Sequence, residues 1–199
     1  AAGNLAQSHW AGEFRPSSDG SLNWNFNTYK NGSGAPIIDG IGTQSINTLI
    51  SRATGTDCLA NGEMIYAELG AARNPDSTYV IQLVRQGADR TWHPVALQSL
   101  NASYSAYLYH VADASRATLD GVANIGTSIG CAPNTARYGL RILKRTSKNI
   151  TLSGSAYRPV PGTGDDFLNF FVVQSLALRL PMKEASLAGI ATSPNVITI

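Results

Sequence analysis

The chain has 199 residues, of which 43% are hydrophobic and only 14% charged. Lys and Arg number 15 against 13 Asp and Glu, a formal net charge of +2. That length fits a single domain, 1–199, whose core needs neither a metal nor a dense disulfide network. The near-neutral balance argues against a non-specific nucleic-acid binder and against a disordered polyelectrolyte. No run of 18 apolar residues occurs, so the sequence offers no membrane-spanning helix.

Low charge combined with 19 Gly and many Ser, Thr and Asn is the composition of a secreted, turn-rich β protein. The opening Ala1-Ala2-Gly3-Asn4 predicts a mature chain left after cleavage behind small residues.

Alternation of apolar and polar residues predicts most elements. Leu22, Trp24 and Phe26 alternate with Asn23, Asn25 and Asn27, a half-buried strand ended by Lys30-Asn31-Gly32-Ser33-Gly34. Thr43 as a cap, followed by Ile46, Leu49 and Ile50 at helical spacing, predicts a short helical turn over 44–52. From Glu63 to Leu69, Met64, Tyr66 and Glu68 share one face and Ile65, Ala67 and Leu69 the other. A β-branched and aromatic run, Tyr79 to Val84, follows the turn residues Asn74-Pro75-Asp76-Ser77, which predicts a hairpin.

Leu100 to Ala112 is the clearest strand. Ala106, Leu108 and His110 fall on one face; Ser105, Tyr107 and Tyr109 fall on the other. Ala114 to Ile125 suggests a second short helical turn, weakened by Gly121. Tyr138 to Leu143 and Ile150 to Ser153 read as strands, Phe170 to Leu180 as one long strand, and Val196 to Ile199 as a short terminal one. Pro159 to Gly164 reads as an exposed loop within the domain. Together the pattern predicts an all-β, antiparallel sandwich of Ig-like or jelly-roll type, with short helical turns on loops.

Cys58 and Cys131 stand 73 positions apart, with no CxxC pair, which excludes a zinc ribbon or a thioredoxin-like motif. In an oxidising compartment they would form one disulfide across a long loop; in a reducing one they would be two unrelated thiols.

Catalytic chemistry is sparse. His9, His93 and His110 accompany no GxSxG or HExxH motif and no clustered Cys, so neither a hydrolase triad, a metal site nor a cofactor is expected. Asp165-Asp166, with Glu68, are the carboxylates available for acid–base work, but two acids between Gly164 and Phe167 more often begin a structural element or decorate a loop.

A basic cluster is more distinctive. Arg137, Arg141, Lys144, Arg145 and Lys148 lie within 12 positions, and no acidic residue occurs between Asp120 and Asp165. Arg137, Arg141 and Arg145 share parity on a strand, so they project from one face and present guanidinium forks suited to an anionic glycan. The plainer reading is a solvated outer face. Tyr107 and Tyr109, exposed by the alternation, would stack on sugar rings, whereas Trp10, Trp24 and Trp92 are expected mainly in the core. Sequons occur at Asn31, Asn101 and Asn149.

The opening segment, His9-Trp10-Ala11-Gly12-Glu13-Phe14 followed by Asp19-Gly20-Ser21-Leu22-Asn23-Trp24-Asn25-Phe26, resembles the start of gamma-clade chaperone–usher fimbrial subunits. That resemblance, over roughly 20 residues, implies a one-disulfide, incomplete Ig-like domain at the cell surface or in a fimbrium. It also implies a donor strand in the N-terminal segment, a groove bordered by Asn195 to Ile199, and a periplasmic chaperone and neighbouring subunits as partners.

The expected role is therefore a non-enzymatic, secreted or surface-displayed fimbrial subunit or adhesin, possessing an Arg and Tyr glycan surface. A structural capsid or surface protein is the second expectation, and a secreted hydrolase using a carboxylate the third.

Overall fold

The computed structural model describes residues 8–24, 44–71, 77–100, 105–115, 125–146, 167–173 and 175–181. Among them are ten strands: β1 (His9–Glu13), β2 (Asn47–Ser51), β3 (Cys58–Ala60), β4 (Met64–Ala71), β5 (Ser77–Gln86), β6 (Trp92–Ser99), β7 (Ser105–Val111), β8 (Thr135–Thr146), β9 (Phe167–Val172) and β10 (Leu176–Leu178). They form two antiparallel sheets. One runs β1-β9-β4-β7; the other runs β10-β2-β8-β5-β6, with β3 also on β8.

The pairing has a nested order. Setting aside the short β3 and β10, β1 pairs with β9, β2 with β8, β4 with β7, and β5 with β6. This is one long hairpin whose successive strand pairs fall alternately in the two sheets, with β9–β4 and β8–β5 contacts completing each sheet. Such a wrapped hairpin is the jelly-roll form of the β-sandwich.

The core lies between the sheets. Ile65, Ala67 and Leu69 of β4 and Ala106 and Leu108 of β7 face Tyr79, Ile81 and Leu83 of β5 and Tyr138, Leu140 and Ile142 of β8. Trp24 is wedged edge-on between Trp10 and Phe170, with ring centroids 5.4 Å from each. The Trp10 indole donates to the Trp24 carbonyl at 3.3 Å. Edge-to-face aromatic pairs of this kind add to the burial energy. Beyond the last β2–β8 pair, Asn47 with Leu140, the edge of β8 is taken over by the segment before β2. There the Leu22 N–H donates to the Ile142 carbonyl at 2.8 Å, and Ser21 bridges to Leu143.

Four sequence expectations are corrected. Residues 44–52 do not form a helical turn: 47–51 are strand β2, buried along nearly its whole length, so its side chains do not alternate. The runs that become β4 and β5 are not a hairpin; they lie in different sheets and pair with β7 and β9, and with β6 and β8. The apolar run from Phe170 is two strands, β9 and β10, in different sheets. Ser21 and Leu22 make only isolated bridges rather than starting a regular strand. Residues 25–27, most of the second expected helical turn, the loop from Pro159, and the expected strands at Ile150 and Val196 lie outside the described residues.

Candidate functional site

Arg137, Arg141 and Arg145 do share the outward face of β8, because Tyr138, Leu140 and Ile142 between them are buried inward. Their guanidinium groups have different surroundings. Arg137 makes a forked pair with Asp57, at 2.8 and 3.2 Å, and donates to Gln86 Oε1 at 2.6 Å and the Ile129 carbonyl at 3.1 Å. Asp57 also takes Arg179 at 3.3 Å. Arg141 reaches Asp19 and Gln82 Oε1, each at 3.4 Å. Arg145 is half-buried near the end of the strand. Lys144 has the opposite parity and sits 5.9 and 5.8 Å from the Phe14 and Tyr79 rings, a cation–π position.

Asp19 anchors the loop that reaches Arg141. Burial alone would raise its pKa. Hydrogen bonds from the Ser17 and Ser21 hydroxyls and the Ser21 N–H, with the Arg141 charge, outweigh that and hold it below the ordinary 3.8.

Tyr107 and Tyr109 are 49% and 63% exposed, as the alternation of β7 predicts. They lie on the outer face of the other sheet, so the tyrosines and the arginines do not converge on one site. Instead β4 pairs with β7 so that Tyr66 stands opposite Tyr109, Glu68 opposite Tyr107, and Met64 opposite Val111. Met64 and Val111 are exposed as well. The Tyr66 and Tyr107 rings stack with centroids 6.4 Å apart. Desolvation, then the charge of Glu68 and the Tyr107 phenol, push the Tyr66 phenol above its ordinary value. The result is an aromatic row with one carboxylate inside it. The sequence placed Met64, Tyr66 and Glu68 on one face, but not beside Tyr107 and Tyr109, because strand pairing is not local information.

Cys58 and Cys131 are joined in a disulfide. It ties β3 to the turn before β8, directly beside the Asp57–Arg137 pair. Of the histidines, His9 is buried and stacks on Phe171 at 4.4 Å, and His110 is buried beside Tyr138 at 5.9 Å. His93 Nε2 meets the Thr91 hydroxyl at 2.6 Å and Asp89 at 3.4 Å. A relay would need the carboxylate on the other ring nitrogen, so this cluster closes the β5–β6 turn and does not align a nucleophile. Hydrogen bonds from Thr91 are the main reason the Asp89 carboxyl titrates below its ordinary value.

Among the described residues, no group of three or more His, Cys, Asp or Glu side chains is placed to hold a metal, and no helix is long and apolar enough to cross a membrane. Asp165, Asp166, Lys148, the three sequons and both segments of the expected donor-strand groove lie outside the described residues.

No family model matches the chain, and no curated protein matches it. A solved chain titled "Sacbrood virus of honeybee" aligns over 100% of this chain and 77% of its own, at 12% identity. Its TM-score is 0.29, too low to carry an argument.

Proposed function

We propose that the chain is a structural, non-enzymatic subunit that tiles through its faces into a closed shell, as a virion capsid protein does. The observation that carries this reading is the aromatic row on the outer face of β4 and β7. Tyr107, Tyr109, Met64 and Val111 are each more than a third exposed, on a sheet whose inner face is packed solid. A contiguous apolar patch on a rigid sheet marks a protein–protein surface. The wrapped-hairpin strand order supports a shell subunit, since jelly rolls are used for capsid and lectin domains and for cupins. A cupin-type site needs an open barrel interior; here Trp10, Trp24 and Phe170 fill it. A lectin reading needs arginines directed at a ligand, and Arg137 and Arg141 are engaged by Asp57 and Asp19. The disulfide supports a working place outside a reducing compartment.

A fimbrial subunit completed by a donor strand is the second reading, favoured by the same single disulfide. One experiment separates the two: light scattering and electron microscopy on the non-reduced chain over a range of concentration, with and without a peptide copying 5–22. The capsid reading expects uniform closed particles that ignore the peptide. An unstable chain rescued as a one-to-one complex by the peptide would replace it with the fimbrial reading. A stable monomer at every concentration removes both.

A further inference from the structure

The aromatic row has a charge problem that limits what covers it. Glu68 lies within it, opposite Tyr107, with Tyr66 two positions along β4. Neither β4 nor β7 carries a Lys or Arg, so among the described residues this strand pair has no countercharge of its own. Two copies pressed together by this face would each bury a carboxylate against phenol rings, with no cation supplied by either strand pair. Burial of an unpaired carboxylate is strongly unfavourable.

The opposite side of the sandwich supplies what is missing. On the outer face of β8, Arg145 projects from the same face as Arg141, whose guanidinium Asp19 already holds; Gln82 of β5 and the exposed Leu97 of β6 lie on that face as well. Guanidinium groups pair with carboxylates and stack on tyrosine faces, both of which the aromatic row offers.

We infer that copies of this chain join head to tail: the Tyr66, Glu68, Tyr107 and Tyr109 face of one copy seats on the Arg141 and Arg145 face of the next. This rests on the shell reading and adds its contact. The two surfaces lie on opposite sheets, so the contact is heterologous, the kind that propagates around a ring when its rotation closes. Glu68 then meets Arg145, and the tyrosines receive the guanidinium planes.

The test is reciprocal charge reversal in the full, non-reduced chain: Glu68→Arg, Arg145→Glu, and a one-to-one mixture of the two variants. Particle formation is followed by light scattering, with circular dichroism and thermal unfolding as controls of the fold. Each single variant should need about tenfold more protein, or more, to assemble. The mixture should recover assembly, because every junction between unlike copies then brings an acid to a base. Three results overturn the inference and leave the shell reading standing: both single variants assemble like the parent, Arg145→Glu alone is without effect, or the mixture does no better than its components. A parent chain that never associates overturns both together.

Discussion

Arg137 points out of its sheet, yet its guanidinium is closed in by Asp57, Gln86 and the Ile129 carbonyl. The sequence marks this position for binding, and the fold gives its guanidinium partners within the chain. Parity along β8 made its outward direction legible; Asp57, 80 positions away, did not show. Arg137→Ala should lower the unfolding free energy by about 2 kcal/mol, read from denaturant midpoints, because charged hydrogen bonds of this sort contribute about 1.5–3 kcal/mol. Asp19 tests the electrostatics of the loop on Arg141. Its folded pKa lies below the ordinary 3.8, so its contribution is fully present above that value and disappears as pH falls through the folded pKa. The stability gap between the parent and Asp19→Asn should therefore be constant above about pH 5 and close in stronger acid. Urea titrations at a series of pH values measure it; a gap that widens in acid contradicts the assignment. Arg85 is fully buried and donates to the Ala114 and Gly126 carbonyls. Its charge among apolar β5 residues gave no hint that two loop carbonyls come to meet it.

Strands were most legible where buried and exposed side chains alternate strictly. β7 is the plain case: Ala106, Leu108 and His110 are buried, and Tyr107 and Tyr109 are exposed. β2 was misread because burial on both sides removes alternation, and Ile46, Leu49 and Ile50 then coincide with helical spacing. Partners were less legible than strands, since β4 and β5 carry the signature of a hairpin and instead divide between the sheets. The disulfide belongs to this scale. It fastens β3 to the approach of β8 across a sequence separation of 73. Replacing both Cys58 and Cys131 by Ser should cost about 4 kcal/mol in the chain-entropy model. Thermal unfolding of the double variant, beside the non-reduced parent, gives the figure. Near-equal stability would mean that the Asp57–Arg137 pair holds this corner without it.

For the whole molecule, the seam between β1 and β9 distinguishes an integral first strand from a dispensable arm. Trp10 is 2% exposed, and β1 covers the edge of β9 through five residue pairs. Deleting residues 1–14 should leave Trp24 and Phe170 without their partner and leave β9 with an open edge. The expected result is a large loss of thermal stability and sheet-to-sheet aggregation. A truncated chain that stays monomeric with an unchanged melting temperature would show that β1 is an appendage.

The nested pairing also sets the order in which the protein can be completed while it is being made. His9 and Phe171 are partners, so the first strand has nowhere to lie until nearly the last described strand has left the ribosome. At ordinary synthesis rates that wait is on the order of 10–30 s. Throughout it, Trp10 stays without its final neighbours, although the inner pair β5–β6 is already able to form. The middle of the chain is thus able to pair first, and the β1–β9 seam can close only after most of the chain has emerged.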